Sequence, residues 1–176
     1  MIATSRRGAM MGALAVPTMA GMPQWRWKHG ERSVLLHDPG LAAGRRFAAA
    51  GVAQGGVVRA IEGDRIRLAR EVLATRPALI AGVTRHADFI LVEDAAREAG
   101  YRAAATIYGR ARQCAGHECQ PGWQSLGRMA RMAGGHWVEA LAEFAVKQGG
   151  AASLAAAPLA GRADAGLVLG WVLAPR

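Results

Sequence analysis

The sequence lacks the features that would place it at once in a known class of protein. Its 176 residues include only two cysteines and 6% aromatics, and lysine occurs only at positions 28 and 147. A chain of this length can bury a core without disulfide support. No uninterrupted apolar run reaches the roughly 20 residues of a membrane-spanning helix, so we expect no stable membrane span.

Sequence motifs of the common enzyme classes are also missing. There is no G-x-G-x-x-G or P-loop, no G-x-S-x-G nucleophile turn and no C-x-x-C-H haem attachment. The net charge is +9, and all but two of the 22 basic residues are arginines spread along the chain. Because they form no basic run and no nucleic-acid module surrounds them, we predict no nucleic-acid partner. Whether the protein is an enzyme stays open, and no cofactor is identified.

The first residues carry a basic pair followed by an uncharged stretch. Arg6-Arg7 follows a serine, no charged residue occurs from position 8 to 24, and small residues surround Ala20. A short basic region, a mildly apolar stretch and small residues at a cleavage point are typical of an export signal. The segment resembles the twin-arginine (Tat) signals of exported proteins. We expect residues 1–22 to be a signal segment that is cleaved near Ala20, by either the Tat or the Sec route.

The resemblance implies a periplasmic protein. Tat substrates cross the membrane already folded, often with a cofactor or a companion chain bound, so the resemblance points to a larger exported partner. Residues 23–32 are polar and aromatic, which is typical of a linker, and we expect one domain over residues 33–176.

The body of the chain alternates short apolar runs with segments of helical periodicity. Three strand–helix units in succession predict an α/β fold, a single small doubly wound sheet of about five mostly parallel strands with helices on both faces. We expect the fifth strand at an edge or beside the fourth. Strands are predicted at 33–37, 55–61, 77–83, 101–108 and 167–173, and helices at 41–50, 64–75, 84–99, 122–132 and 137–148.

Polar residues follow the predicted strands where each one ends. In an open α/β sheet, ligands bind beyond the carboxyl ends of the strands, so these side chains form a candidate ligand site. Turn and cap duties are the alternative for Asp38 and Asp64, and Thr84 is predicted to cap the third helix. The predicted ligand-binding residues are His37, Asp38, Thr84, Arg85, His86 and Tyr108.

A cysteine-bearing loop at 110–122 is the most distinctive local feature. Because an exported protein meets an oxidising compartment, a disulfide between Cys114 and Cys119 is the leading interpretation. A metal site formed with His117 is less favoured, because three ligands within six residues are sterically awkward. Two free thiols remain the third alternative.

The function can therefore only be ranked. We expect an exported non-catalytic subunit or accessory protein of a larger periplasmic enzyme, with a redox enzyme as one candidate. The alternative is a small enzyme that binds an anionic ligand or a cofactor through the strand-end cluster. A metal-binding protein is the second alternative, and the oligomeric state is not indicated.

Overall fold

A computed structural model describes residues 32–109, 123–147 and 168–176, which form an α/β fold around a five-stranded mixed sheet. None of the helices in these ranges is long and apolar enough to cross a membrane. The elements in chain order are β1 (Ser33–His37), α1 (Ala42–Ala53), β2 (Val57–Ala60), α2 (Arg65–Ala74), β3 (Leu79–Arg85), α3 (His86–Glu98), β4 (Tyr101–Tyr108), α4 (Gln124–Ala133), a 3-10 turn (Gly134–His136), α5 (Trp137–Lys147) and β5 (Val168–Pro175).

The strand order is β2-β1-β3-β5-β4. Strand β1 pairs in parallel with β2 and β3, whereas β5 pairs antiparallel with both β3 and β4. The prediction of an α/β sheet with about five strands is confirmed. The prediction of a mostly parallel sheet is met only in part, because the sheet is mixed, with two parallel and two antiparallel strand pairings. Strand β5 lies beside β4 as one alternative predicted, although in the interior of the sheet and not at its edge.

The antiparallel direction of β5 follows from the positions at which α5 ends and β5 begins. Helix α5 ends near the amino ends of β1 and β2, where Val146 contacts the position that a Cβ on Gly56 would occupy. Strand β5 begins at the carboxyl end of β3, where Val168 pairs with Arg85. It therefore runs against the other four strands.

Helices cover both faces of the sheet. On the first face, α1, α4 and α5 pack against alternate strand residues such as Leu35, with Phe47 fully buried in that layer. On the second face, α2 and α3 cover the other set of strand residues, with Leu36 and Phe89 in the core. This alternation follows from the two-residue period of a strand, and it buries the apolar runs on both sides.

Helix ends account for several of the polar residues. The Asp64 carboxylate accepts the backbone N–H groups of Ile66 and Arg67 at 3.0 and 3.1 Å, which confirms its predicted role as the N-cap of α2. Gly100, with φ +84°, follows the end of α3 as predicted. The prediction that Thr84 caps α3 is wrong, because β3 continues to Arg85 and the helix has no side-chain cap.

Candidate functional site

The carboxyl ends of β1 and β3 form the centre of the candidate site, which we call the carboxyl-end rim: residues 37–40, 61–64, 84–86 and 108–109. The two strands are adjacent and parallel, but α1 leaves β1 toward the first face and α3 leaves β3 toward the second. Such a divergence opens a crevice between neighbouring strand ends, the usual ligand position in open α/β sheets. The predicted residues at the ends of β1 and β3 therefore come together at one place.

The central contact of the rim joins Asp38 and Arg85. Arg85 Nη1 lies 3.1 Å from Asp38 Oδ2, and the Asp38 side chain is 9% exposed whereas that of Arg85 is 56% exposed. This contact is an ion pair without hydrogen-bond alignment, since Oδ2 is buried and accepts no hydrogen bond. The carboxylate thus lies behind the guanidinium, which faces solvent.

The loop after β1 holds the Asp38 carboxylate in place. Asp38 Oδ1 accepts the backbone N–H of Gly40 at 2.8 Å, and the Leu41 N–H donates to the Asp38 carbonyl at 3.2 Å. A Cβ on Gly44 would lie 2.2 Å from the Asp38 carbonyl oxygen, so α1 can start this close to β1 only with glycine there. Because the N–H groups of Gly40 and Leu41 are already used, recognition of an anion here falls to Arg85.

His37 lies beside this ion pair. Its side chain is half-buried, and Nδ1 is buried without a hydrogen-bond partner. Burial lowers the pKa of His37, while the nearby carboxylates of Asp38 and Glu62 act in the opposite direction. The imidazole is therefore neutral at neutral pH and can donate or accept a hydrogen bond.

The remaining predicted residues differ in how close they lie to the Asp38–Arg85 ion pair. Thr84 is fully buried and accepts the indole N–H of Trp171 at 3.0 Å, so it belongs to the core. His86 is exposed at the first residue of α3, with its ring centroid 6.4 Å from that of Phe89. Tyr108 ends β4, which β5 separates from β3, placing it about 10 Å from the end of β3.

A second ion pair at the rim was not predicted from the sequence. Arg65, at the start of α2, donates from Nε to the Asp88 carboxylate in the first turn of α3 at 3.0 Å. Arg65 also donates from Nη1 to the carbonyl of Gly63. Asp88 could be recognised in the sequence only as a first-turn acid, because its partner is 23 residues away and the pair depends on the packing of two helices.

Helix N-termini also gather at this edge of the sheet. Helices α1, α2 and α3 each begin where a strand ends, and α5 begins there too, because Trp137 lies against Gly109. The N-terminus of a helix carries the positive end of its dipole. Four such ends favour negative charge near the rim.

The predicted cysteine-loop sites cannot be placed, since Cys114, His117 and Cys119 lie outside the described residues. Within the described ranges, no group of three or more His, Asp or Glu side chains could hold a metal ion. In the comparisons with known proteins, the chain matches no family model, no curated protein and no solved structure.

Proposed function

We propose that this protein is exported and binds a small anionic ligand through Arg85 at the carboxyl-end rim. One observation carries the proposal: the Arg85 guanidinium is more than half exposed, and within the described residues it makes an ion-pair contact with Asp38 but no hydrogen bond. Its N–H donors therefore remain available to a ligand. A guanidinium with free donors suits a carboxylate, phosphate or sulfate group, which it can bind through two parallel hydrogen bonds.

The buried carboxylate supports this function by attracting the Arg85 guanidinium to the rim. Asp38 is tied to the Gly40 N–H and cannot follow the guanidinium into solvent. An arginine that is already positioned loses less side-chain entropy when a ligand binds. Since Asp38 offsets the charge of Arg85, attraction for an anion comes from the directed donors, the four helix N-termini and the net charge of +9.

The two histidines at the rim extend the same site. His37 precedes Asp38 and His86 follows Arg85, so an imidazole flanks the ion pair on either strand. Each imidazole adds a group at the rim that can form a hydrogen bond. The proposal covers binding, which both a carrier protein and an enzyme of the predicted ligand-binding class require.

A matched pair of arginine variants tests the proposal. Arg97 resembles Arg85 in exposure, 55% against 56%, and each has a carboxylate oxygen at 3.1 Å, but Arg97 lies in the last turn of α3. Calorimetric titration with phosphate, sulfate, acetate and citrate should show binding of at least one anion to the native protein. We expect Arg85→Gln to weaken that binding about 10- to 100-fold, the effect of losing charge-assisted hydrogen bonds. Arg97→Gln should bind as the native protein does.

Two results would contradict this function. Binding of none of the four anions would leave Arg85 without its proposed role. Equal losses in the Arg85 and Arg97 variants would mean that overall charge, rather than the rim, governs anion binding.

A second candidate function is that of an accessory subunit, as the sequence first suggested. Ile90 and Leu91, adjacent on α3, are 49% and 43% exposed. A pair of exposed apolar side chains on a helix is a surface that a partner chain can cover. The exported protein should then elute in gel filtration with a larger chain, and the variant Ile90→Ser with Leu91→Ser should elute alone. Elution of the native exported protein alone would exclude this function.

A further inference from the structure

A row of four arginines lies at the amino ends of the parallel strands, opposite the carboxyl-end rim. We call this end of the sheet the amino-end edge. Each stands at the end of a strand where the chain enters or leaves the amino-end edge, and together they lie along four neighbouring strands. We call these residues the arginine row: Arg32 before β1, Arg76 before β3, Arg102 at the start of β4 and Arg176 after β5.

Backbone hydrogen bonds show that the members of the row are neighbours. The Arg32 carbonyl accepts the N–H of Ala78, two residues after Arg76, at 3.0 Å. The Arg176 N–H donates to the carbonyl of Gly100 at 2.9 Å, two residues before Arg102. Across β1, β3, β5 and β4, the row therefore extends over about 15 Å, three strand spacings.

Tyr101 connects the two halves of the row. Its hydroxyl donates to the Pro77 carbonyl at 2.7 Å, which holds the start of β4 near the segment before β3. Burial raises the pKa of Tyr101, and the positive charge of Arg76 lowers it in part. Arg76 is thus close enough to β4 for its positive charge to act on the Tyr101 hydroxyl.

The arginine side chains of the row have no ion-pair partner among the described residues. All four side chains belong to exposed residues, and none forms an ion pair in the described part of the chain. At the carboxyl-end rim, by contrast, Arg85 is paired with Asp38. The amino-end edge therefore presents four guanidinium groups that have no ion-pair partner among the described residues.

Exposed valines adjoin the row. Val57, the first residue of β2, is 46% exposed and pairs with Val34 at the start of β1. Val52, in the last turn of α1, is 65% exposed. The chain enters the domain beside them at Arg32, which follows the segment with the signal-like sequence. Positive charge without an ion-pair partner and exposed apolar side chains thus share one edge.

We infer that the amino-end edge docks on an anionic phospholipid surface, with the arginine row on the lipid phosphates and the two valines at the interface. Guanidinium groups bind phosphates through paired hydrogen bonds, and each basic residue near an anionic bilayer strengthens binding about five-fold. An acidic protein chain would suit the charges alone. The exposed Val52 and Val57 beside the row favour the membrane, because apolar side chains can enter the boundary between headgroups and acyl chains. This inference goes beyond the proposed ligand site, which lies at the other end of the strands.

Vesicle co-sedimentation of the full chain tests the inference. The vesicles contain phosphatidylcholine alone or with one quarter phosphatidylglycerol, in 0.1 M salt. The row variant carries Arg→Gln at positions 32, 76 and 102, and the control carries Arg→Gln at positions 67, 128 and 131, which are exposed on α2 and α4. Both variants lose the same charge and keep the signal-like segment. We expect the row variant to partition about 100-fold less into anionic vesicles, and the control less than about 3-fold less.

Two further measurements test the contribution of the valines and distinguish a membrane from an acidic protein chain. In 0.5 M salt, where charge is screened, Val52→Ser with Val57→Ser should lower the remaining vesicle binding. Equal losses in the row and control variants, or no binding of the native chain to anionic vesicles, would overturn the inference. If the row variant loses binding of polyglutamate while its vesicle partition is unchanged, the edge recognises an acidic chain and the membrane assignment is wrong. Urea denaturation of both variants at the same midpoint as the native protein shows that they are folded.

Discussion

The indole of Trp171 lies against the backbone of Gly82, its partner on the neighbouring strand. A Cβ on Gly82 would lie 2.1 Å from Trp171 Cζ2, and the indole Nε1 donates to Thr84 Oγ1 at 3.0 Å. On its other side the indole contacts Phe89 of α3, with the ring centroids 5.4 Å apart. One side chain on β5 therefore sets the end of β3 and the start of α3, and with them the position of Arg85.

Replacing Gly82 should show how tightly this contact is packed. We expect Gly82→Ala to lower the free energy of unfolding by about 2 kcal/mol or more, because the added methyl would overlap an indole that is itself fully buried. Urea denaturation measures the change. Gly135→Ala is the control, since nothing lies within 4 Å of its Cβ position. A Gly82 variant as stable as this control would mean that the indole can move aside.

Removing the hydroxyl of Thr84 should also weaken the domain. Thr84→Val keeps the shape but leaves the buried indole N–H of Trp171 without an acceptor, which costs about 1–3 kcal/mol. Thr84→Ser keeps the acceptor and should recover most of that loss. Thermal unfolding and near-ultraviolet circular dichroism of the two variants check this. If valine and serine are equally stable, the hydrogen bond contributes nothing to folding.

Local sequence signals predicted the elements well but not their full arrangement. The apolar runs that became β1 and β4 have the predicted bounds, because a buried strand shows itself as a continuous apolar segment. The direction and position of β5 carry no such signal, since an apolar run is the same for either strand direction. The pairing of β5 with β3 brings together residues as distant in the chain as Gly82 and Trp171, 89 positions apart, which no local pattern shows.

The candidate site was predicted in part for a related reason. Asp38 and Arg85 meet because parallel neighbouring strands end at one edge, a rule that can be applied to the sequence. Thr84 was taken for a helix cap because threonine is common there. The hydrogen bond from Trp171 holds it in the strand instead, and no local pattern shows a partner so distant in the chain.

Two substitutions of Asp38 separate its two roles in the rim. Asp38→Ala removes both the acceptor for the Gly40 N–H and the partner of Arg85, and we expect a loss of about 1–2 kcal/mol of stability. Asp38→Asn keeps an oxygen for Gly40 and should lose less. Urea denaturation of both variants provides the comparison. An asparagine variant as unstable as the alanine variant would assign the stability to the ion pair instead of the loop hydrogen bond.

His37 should make folding less favourable at acidic pH. Its pKa in the folded protein is below the ordinary value of 6.5, chiefly because of burial, so the unfolded chain takes up a proton at a higher pH than the folded one. Stability that is present above about 6.5 is then lost as the pH falls toward the folded pKa. His37→Gln removes this dependence. Urea denaturation at pH 7.5, 6.5 and 5.5 should show the native protein losing stability relative to the variant as the pH falls. A difference between them that stays constant, or that changes in favour of the native protein, would show that the imidazole is not kept neutral by burial.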